Sequence, residues 1–196
     1  APVPVSNGGG DFLAAVADQV LPRAVGVQEL LHSDATTGDI VDEVIEAHNV
    51  SKGQVCQLAS RLQARTTKQT LRNAWRFITE NIAYRVDPPG EQYIKTPAAT
   101  WRDRFGDCKS YSVFIGAILD CLNIPFGFRF VAYAGEPEYS HVYLIAKSRG
   151  RWVPIDACLD QFGVELPYAQ KKDVMTKVYR ISGPKVGAVA VEYSKV

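Results

Sequence analysis

Long apolar runs are absent from this sequence of 196 residues. No stretch approaches the roughly 18 apolar residues that a membrane-spanning helix needs, and the N-terminus lacks the basic and apolar segments of an export signal. An excess of charge is also lacking, because 22 basic and 21 acidic residues give a formal net charge of +1. We therefore expect a soluble, cytoplasmic protein whose partners are neither membranes nor nucleic acids.

Cysteine is scarce and widely spaced. The four cysteines have neither the density of a disulfide framework nor the close pairs of a zinc site. This distribution predicts reduced thiols in a cytosol-like compartment, with Cys56 and Cys121 as small buried apolar residues. Histidine is scarcer still, with three in the chain, so few residues can serve as a base near neutral pH.

Helical periodicity dominates the first half of the chain. Residues 1–10 are rich in proline and glycine and predict a flexible arm. Amphipathic spacing then predicts helices that start near Asp11, Ile40, Val55 and Leu71. Two of these could form a helix-turn-helix, but the mixed charge around them disfavours DNA binding.

The middle of the chain carries strong stop signals and one strongly apolar segment. The sequence Asp87-Pro88-Pro89-Gly90 predicts the end of the fourth helix, because proline removes backbone donors and glycine favours turns. Residues 91–100 then read as a loop. From Asp107 to Leu122 the residues are apolar almost all round, which predicts a helix buried in the core.

The second half of the chain changes to the alternating pattern of strands. Strands are predicted at residues 128–133, 141–147, 151–156, 174–181 and 186–193, with Ser148-Arg149-Gly150 as a hairpin turn. Helices followed by a run of strands predict an α+β fold with a mainly antiparallel sheet. We expect an arm at 1–10, a helical extension at 11–65 and a core at 66–196, packed as one domain.

Cys108 is the candidate nucleophile. It falls in the first turn of the predicted core helix, where free backbone N–H groups and the helix dipole favour thiolate. Lys109 adds a positive charge, Asp107 is suited to cap the helix facing away from the sulfur, and Gly106 indicates close backbone approach. A buried, unreactive thiol is the alternative interpretation.

His141 and Asp156 are the candidate base and its orienting carboxylate. Imidazole suits proton transfer near neutral pH, and His141 begins a predicted strand on the face shared by Tyr143 and Ile145. A hairpin that turns at residues 148–150 would bring Asp156 back beside it, where the carboxylate could fix the tautomer. His32, in a polar interhelical stretch, and His48, on a helix, are interpreted as structural.

These residues lie in blocks that resemble the transglutaminase-like cysteine protease superfamily, in its small bacterial or phage-associated single-domain form. The blocks are residues 101–112 (WRDRFGDCKSYS), 122–125 (LNIP), 140–143 (SHVY) and 155–157 (IDA), within a match over roughly residues 70–165. The resemblance implies a papain-like fold with N-terminal helices and a central cysteine-bearing helix packed on the sheet. It also implies a catalytic triad of Cys108, His141 and Asp156, with no cofactor or metal.

The chemistry implied is acyl transfer on peptide-like amides through a thioester, with a peptide or protein as substrate. Water as acceptor gives hydrolysis, which we expect, and an amine gives the crosslink of a transglutaminase. The backbone N–H of Cys108 is the natural first oxyanion donor, and Gln92 is a candidate second donor by analogy with papain-like enzymes. Tyr93, Trp101 and Tyr139 are candidate residues of the substrate groove.

Two alternatives remain open from the sequence. The chain could be a non-catalytic structural component of a phage particle or other assembly, located in the virion, with its partners bound by the N-terminal helices and arm. It could also be a metal-binding protein whose ligands are Cys108, His141 and Asp156, which predicts stoichiometric zinc.

Overall fold

The computed structural model describes residues 8–23, 28–32, 37–88, 91–178 and 191–195. The helices in these ranges are α1 Gly8–Val20, α2 Thr37–Ser51, α3 Cys56–Leu62, α4 Thr67–Asn81, α5 Pro97–Asp103 and α6 Cys108–Cys121, with a short 3-10 helix at Lys52–Val55. None of them is both long enough and apolar enough to cross a membrane. The strands are β1 Gln28–His32, β2 Ala83–Tyr84, β3 Glu91–Lys95, β4 Phe105–Gly106, β5 Phe126–Ala132, β6 His141–Ser148, β7 Arg151–Ile155, β8 Gln170–Val178 and β9 Val191–Lys195.

Helix α6 is the centre of the molecule. Every residue from Cys108 to Leu119 is buried, because α6 contacts α2, α3, α4 and α5 as well as strands β5 and β6. The Ser112 hydroxyl donates a hydrogen bond to the Val142 carbonyl of β6 over 3.2 Å, which fixes the helix against the sheet. The predicted buried helix is therefore confirmed, and its first residue is Cys108.

The main sheet has five antiparallel strands in the order β7-β6-β5-β8-β9. The turn between β6 and β7 consists of Arg149 and Gly150, whose φ angles of 50° and 80° fit the type I′ turn that matches strand twist. Along β6, Val142 and Leu144 join the main core while Tyr143 and Ile145 join a smaller cluster on the opposite face. The predicted hairpin, strand alternation and α+β papain-like fold are all confirmed.

Two boundaries in the middle of the chain differ from the prediction. Helix α4 ends at Asn81, well before Asp87, because the backbone turns at Ile82 and the next two residues pair in parallel with β4. The predicted loop at 91–100 is instead strand β3 followed by the start of α5. Strand β3 pairs with the distant β1, and Thr96 caps α5 with Pro97 at its first turn.

The N-terminal half holds further differences. Helix α1 begins at Gly8, inside the predicted arm, while residues 1–7 lie outside the described part of the chain. His32 belongs to β1 and pairs with Glu91, so its segment is not an interhelical connection. His48 is fully buried, with Nε2 3.3 Å from the Asp120 carboxylate, which makes it a core residue.

Two of the cysteines form a disulfide, so the expectation of four reduced thiols is wrong. Cys56 is the first residue of α3 and Cys121 the last of α6, and the fold brings their Cα atoms to 5.1 Å although they are 65 positions apart. Such a long-range contact leaves no local pattern in the sequence. Disulfides persist in oxidising environments, so cysteine usage no longer favours a cytosol-like compartment.

Candidate active site

Cys108 is the first residue of α6, directly after its cap. The Asp107 carboxylate accepts a hydrogen bond from the Ser110 backbone N–H over 3.1 Å, as a capping residue should. A Cβ at Gly106 would stand 2.7 Å from Cβ of Ser110, so a larger residue there would push the cap apart. The close backbone approach expected at Gly106 is therefore its contact with Ser110, in the first turn of α6.

Lys109 supplies a fixed positive charge beside the thiol. Its ammonium is buried and forms ion pairs with Asp107 and, over 3.2 Å, with Asp87. Burial lowers the pKa of Lys109, but the charges of Asp107, Cys108 and Asp87 outweigh it and raise that pKa above its ordinary value. Lys109 therefore stays charged. The Asp107 carboxylate contacts the Lys109 ammonium and the Ser110 backbone N–H, so its negative charge does not act alone on the Cys108 sulfur.

His141 and Asp156 are joined by a direct hydrogen bond. Nε2 of His141, at the start of β6, lies 2.7 Å from Oδ2 of Asp156, which immediately follows β7. The other carboxylate oxygen accepts from the Cys158 backbone N–H over 2.9 Å, and the Asp156 carbonyl accepts from the Trp75 indole over 2.9 Å. The proximity expected from the hairpin is present, and both oxygens of the carboxylate are held.

The charge on the imidazole follows from these contacts. Burial alone would lower the pKa of His141, because a buried cation loses its hydration. Hydrogen bonds to Asp156 and Cys108, together with their negative charges, reverse this effect and raise the pKa to about 10. The site therefore favours the charged imidazolium form of His141.

Cys108 and His141 open into one cavity of about 150 Å³. Two other residues singled out from the sequence, Gln92 and Tyr139, line the same cavity, and its remaining lining residues are Ile40, Lys109, Phe130, Ser140 and Val142. Gln92 reaches it from β3 and Tyr139 from the loop before β6. The geometry thus gathers a thiol, an imidazole and an amide side chain around a space open to a small group.

Comparison with protein families shows to which family the chain belongs. A family model described as a transglutaminase-like domain matches residues 53–181. The chain belongs to the transglutaminase-like domain family. The match includes Cys108, His141 and Asp156 and begins before residue 66, where the core was predicted to start. This membership supports a cysteine-dependent class of enzyme.

Solved structures similar to this transglutaminase-like domain include a candidate protease from Parabacteroides distasonis. The two are 12% identical with a TM-score of 0.54, over 71% of this chain and 29% of that one. A candidate cysteine protease from Cytophaga hutchinsonii is 14% identical with a TM-score of 0.46, over 86% of this chain and 63% of that one. Legionella pneumophila LapG is 14% identical with a TM-score of 0.45, over 78% and 73%.

The first of these likenesses supports the fold alone. The aligned part of this domain spans less than a third of the Parabacteroides protein, so nothing of that protein's activity as a whole is carried over. A comparison with curated proteins found no match.

Two predicted groove residues do not line the cavity. Tyr93 follows Gln92 on β3, so strand alternation turns it to the other face, where its hydroxyl donates to the Glu91 carboxylate over 2.6 Å. Trp101 is buried in α5, stacked on Phe77 at 5.3 Å between ring centroids. Its indole N–H donates to Asp18 of α1, which makes it a core residue that joins helices.

Cys158 is the residue at this site that the sequence interpretation missed. Continuing the register of β6 and β7 by three residues would place it opposite His141, and its thiol lies within 4.8 Å of ligand atoms of His141 and Asp156. Burial first, then the charges of Cys108 and Asp156, raise the pKa of Cys158 far above its ordinary value. It therefore remains a neutral thiol beside the pair, and the hairpin register could have revealed it.

The metal-binding alternative meets a geometric obstacle. The expected ligands were Cys108, His141 and Asp156, whereas the potential ligand atoms that lie within 4.8 Å of one another are those of His141, Asp156 and Cys158. A tetrahedral zinc ion bound to a nitrogen and an oxygen at about 2.0–2.1 Å holds them about 3.3 Å apart. Because Nε2 and Oδ2 are 2.7 Å apart and already bonded, an ion would have to break the pair.

Proposed function

We propose that this transglutaminase-like domain is a cysteine peptidase or amidase that cleaves peptide-like amides through a thioester. The observation that carries the proposal is the placement of Cys108 and His141 on one cavity, with His141 bonded to the buried Asp156. A thiol, a proton carrier and its orienting carboxylate are the groups that thiolate acyl transfer needs.

In the proposed reaction the Cys108 thiolate attacks the amide carbonyl carbon and forms a tetrahedral intermediate. The His141 imidazolium then gives its proton to the departing amine as the carbon–nitrogen bond breaks, which leaves a thioester. A water molecule loses a proton to the neutral imidazole and attacks the thioester carbonyl; the carbon–sulfur bond then breaks, which releases the acid and returns Cys108 as thiolate beside the imidazolium. Asp156 stays ionised throughout and stabilises the imidazolium, and an amine in place of water would give a crosslink.

Thiol labelling tests the nucleophile. We expect Cys108 to react with iodoacetamide at pH 6 about 10²-fold faster than an unfolded-chain cysteine, because the imidazolium stabilises its thiolate. Mass spectrometry of the modified peptide identifies the cysteine, with Cys158→Ala as the matched control because this neutral thiol should not carry the fast label.

The outcome also decides between catalysis and an assembly component. If Cys108 labels at the rate of an unfolded cysteine and His141→Ala changes nothing, the proposed activity fails. Incubation of the active protein with a peptide library, with and without a primary amine, then separates the acceptors. Cleavage without amine incorporation supports a peptidase, and amine incorporation overturns hydrolysis in favour of transglutamination.

Gln92 is proposed as the second oxyanion donor, because its amide lines the cavity next to Cys108. We expect Gln92→Ala to lower kcat about 10²–10³-fold, as the loss of one such donor does. The rate of Cys108 alkylation should stay unchanged, since alkylation develops no oxyanion. Gln57→Ala, an exposed glutamine on α3, is the control, and an equal loss of kcat and alkylation would contradict the assignment.

A further inference from the structure

A second and larger concavity lies outside the proposed active site. This basic groove has a volume of about 700 Å³ and is lined by Thr66, Lys68, Arg72, Ser148, Arg149, Arg151, Trp152, Val153, Pro154, Phe162 and Gly163. Its cations come from two places: Lys68 and Arg72 from the start of α4, and Arg149 and Arg151 from the β6–β7 hairpin. No carboxylate is among the lining residues.

The positive charge of the basic groove is uncompensated. In the part of the chain that the structure describes, all four cations are exposed and none forms an ion pair, while the Arg72 guanidinium lies over the Phe162 ring at 5.3 Å. The whole chain carries a net charge of only +1, so this concentration is local. A concave surface lined by one sign of charge concentrates ligands of the opposite sign.

One side of the basic groove is the edge strand of the main sheet. Strand β7 pairs with β6 on one side and with no other described strand. The Lys147 backbone N–H points towards β5, because it donates to the Pro125 carbonyl. Lys147 and Trp152 are therefore opposite each other without a hydrogen bond between them. In such an antiparallel pair, the N–H and C=O of Trp152 point away from β6, to the open edge of the sheet. Among the described residues no backbone group pairs with the N–H and C=O of Trp152 at this edge, nor with the carbonyl of Pro154, which has the same orientation.

These edge groups discriminate between kinds of polyanion. An extended polypeptide can add to a sheet edge through main-chain hydrogen bonds, whereas a nucleic acid has no matching ladder of donors and acceptors. Pro154 lacks an N–H and so limits the addition to a short segment, which also protects the edge from uncontrolled pairing. An acidic polypeptide therefore fits both the charge and the backbone.

The basic groove is connected to the proposed active site. Strand β7 ends at Ile155, immediately before Asp156. On the other wall, the Phe162 ring packs edge-on against the Trp75 indole at 6.2 Å between centroids, and Trp75 donates to the Asp156 carbonyl. A segment bound along β7 would thus lie near Trp75, which holds the backbone of Asp156 through its carbonyl.

We propose that the basic groove is a binding site for an extended acidic segment of the polypeptide substrate, separate from the cavity at Cys108. That the ligand is a substrate rests on the proposed function, whereas the binding of an acidic peptide does not. The two parts are separable because binding can be measured on a Cys108→Ala protein, which cannot turn the peptide over.

The test uses fluorescein-labelled octapeptides of alternating glutamate and threonine, with lysine–threonine and glutamine–threonine peptides of equal length for comparison. Fluorescence anisotropy with Cys108→Ala protein should show binding of the glutamate peptide alone, weakened by raising the salt from about 0.05 to 0.5 M. Arg72→Gln and Arg151→Gln should each weaken binding about fivefold to tenfold. Arg61→Gln, an exposed cation on α3 that does not line the groove, should bind as the parent does.

Three results would overturn the proposal. They are equal binding of the three peptides, no response to the groove substitutions, or tighter binding of a single-stranded oligonucleotide of the same charge, which would make the groove a nucleic-acid site. Thermal unfolding checks that each variant is folded, and the Arg151→Glu variant gives an independent reading because it should weaken binding of the glutamate peptide more than Arg151→Gln does. If the protein binds the glutamate peptide but its Cys108 proves unreactive, the proposal of peptide binding in the basic groove stands and the proposed enzymatic activity fails.

Discussion

Asp156→Asn is expected to lower kcat/KM about 10³–10⁴-fold at pH 7. Both carboxylate oxygens act as acceptors, one for the Cys158 backbone N–H and the other for Nε2 of His141. An asparagine has one acceptor and one donor, so it can satisfy only one of these partners. If its NH₂ group faces His141, Nε2 must accept, the proton moves to Nδ1, and the ring can no longer take a proton from Cys108.

The measurement is kcat/KM on a cleaved peptide, with the pseudo-first-order rate of Cys108 alkylation as a second readout. Asp160→Asn, an exposed aspartate four residues further on, is the matched control and should change neither. Activity of Asp156→Asn within threefold of the parent would show that orientation alone suffices and that the charge of Asp156 is dispensable.

The stability of the protein is expected to fall at high pH because of His141. Its folded-state pKa of about 10 lies above the value of about 6.5 in an unfolded chain. A group whose folded pKa is raised contributes stability that is complete below pH 6.5 and is lost as the pH rises through 10. We expect this contribution to be about 3–5 kcal/mol, because a tenfold change in proton affinity corresponds to about 1.4 kcal/mol.

Urea denaturation at pH 6 and at about pH 10.5 measures this contribution. Other groups titrate between these two pH values. The effect of His141 is therefore the loss in free energy of unfolding of the parent minus the loss of His141→Gln, which lacks the titrating imidazole. Asp173 of β8 and Arg129 of β5 form an ion pair that is unchanged in both proteins. Equal losses in the two proteins would contradict an imidazolium held by Asp156 and Cys108.

The elements that carry the site could be predicted from the sequence because their signals are local. Helix α6 can be predicted because its residues are apolar on every side and follow a capping aspartate. These two signals place Cys108 at the helix start. The β6–β7 hairpin has a short turn that fixes its register, and this register makes Asp156 a diagonal neighbour of His141, within reach of a hydrogen bond. Local rules were therefore enough to propose three residues that are far apart in the chain.

The remaining features depend on contacts between distant segments. Strand β3 looked like a loop because its partner, β1, precedes it by about sixty residues. The pairing of Cys56 with Cys121 and the burial of Trp101 against α1 likewise exist only once the helices have packed. Cys158 differs from these, because the local register of the hairpin is enough to place it opposite His141.

The disulfide divides the molecule in a way that the chain order alone does not suggest. It closes a covalent ring that contains Gln92 and Cys108, while His141 and Asp156 lie beyond it on a sheet whose five strands all follow residue 125. Opening the chain between Cys121 and Phe126 would therefore give two pieces with no covalent link, one with the nucleophile and one with the base. Such a split protein would regain its chemistry only by reassembly, and restored thiol reactivity could serve as a sensor of that reassembly.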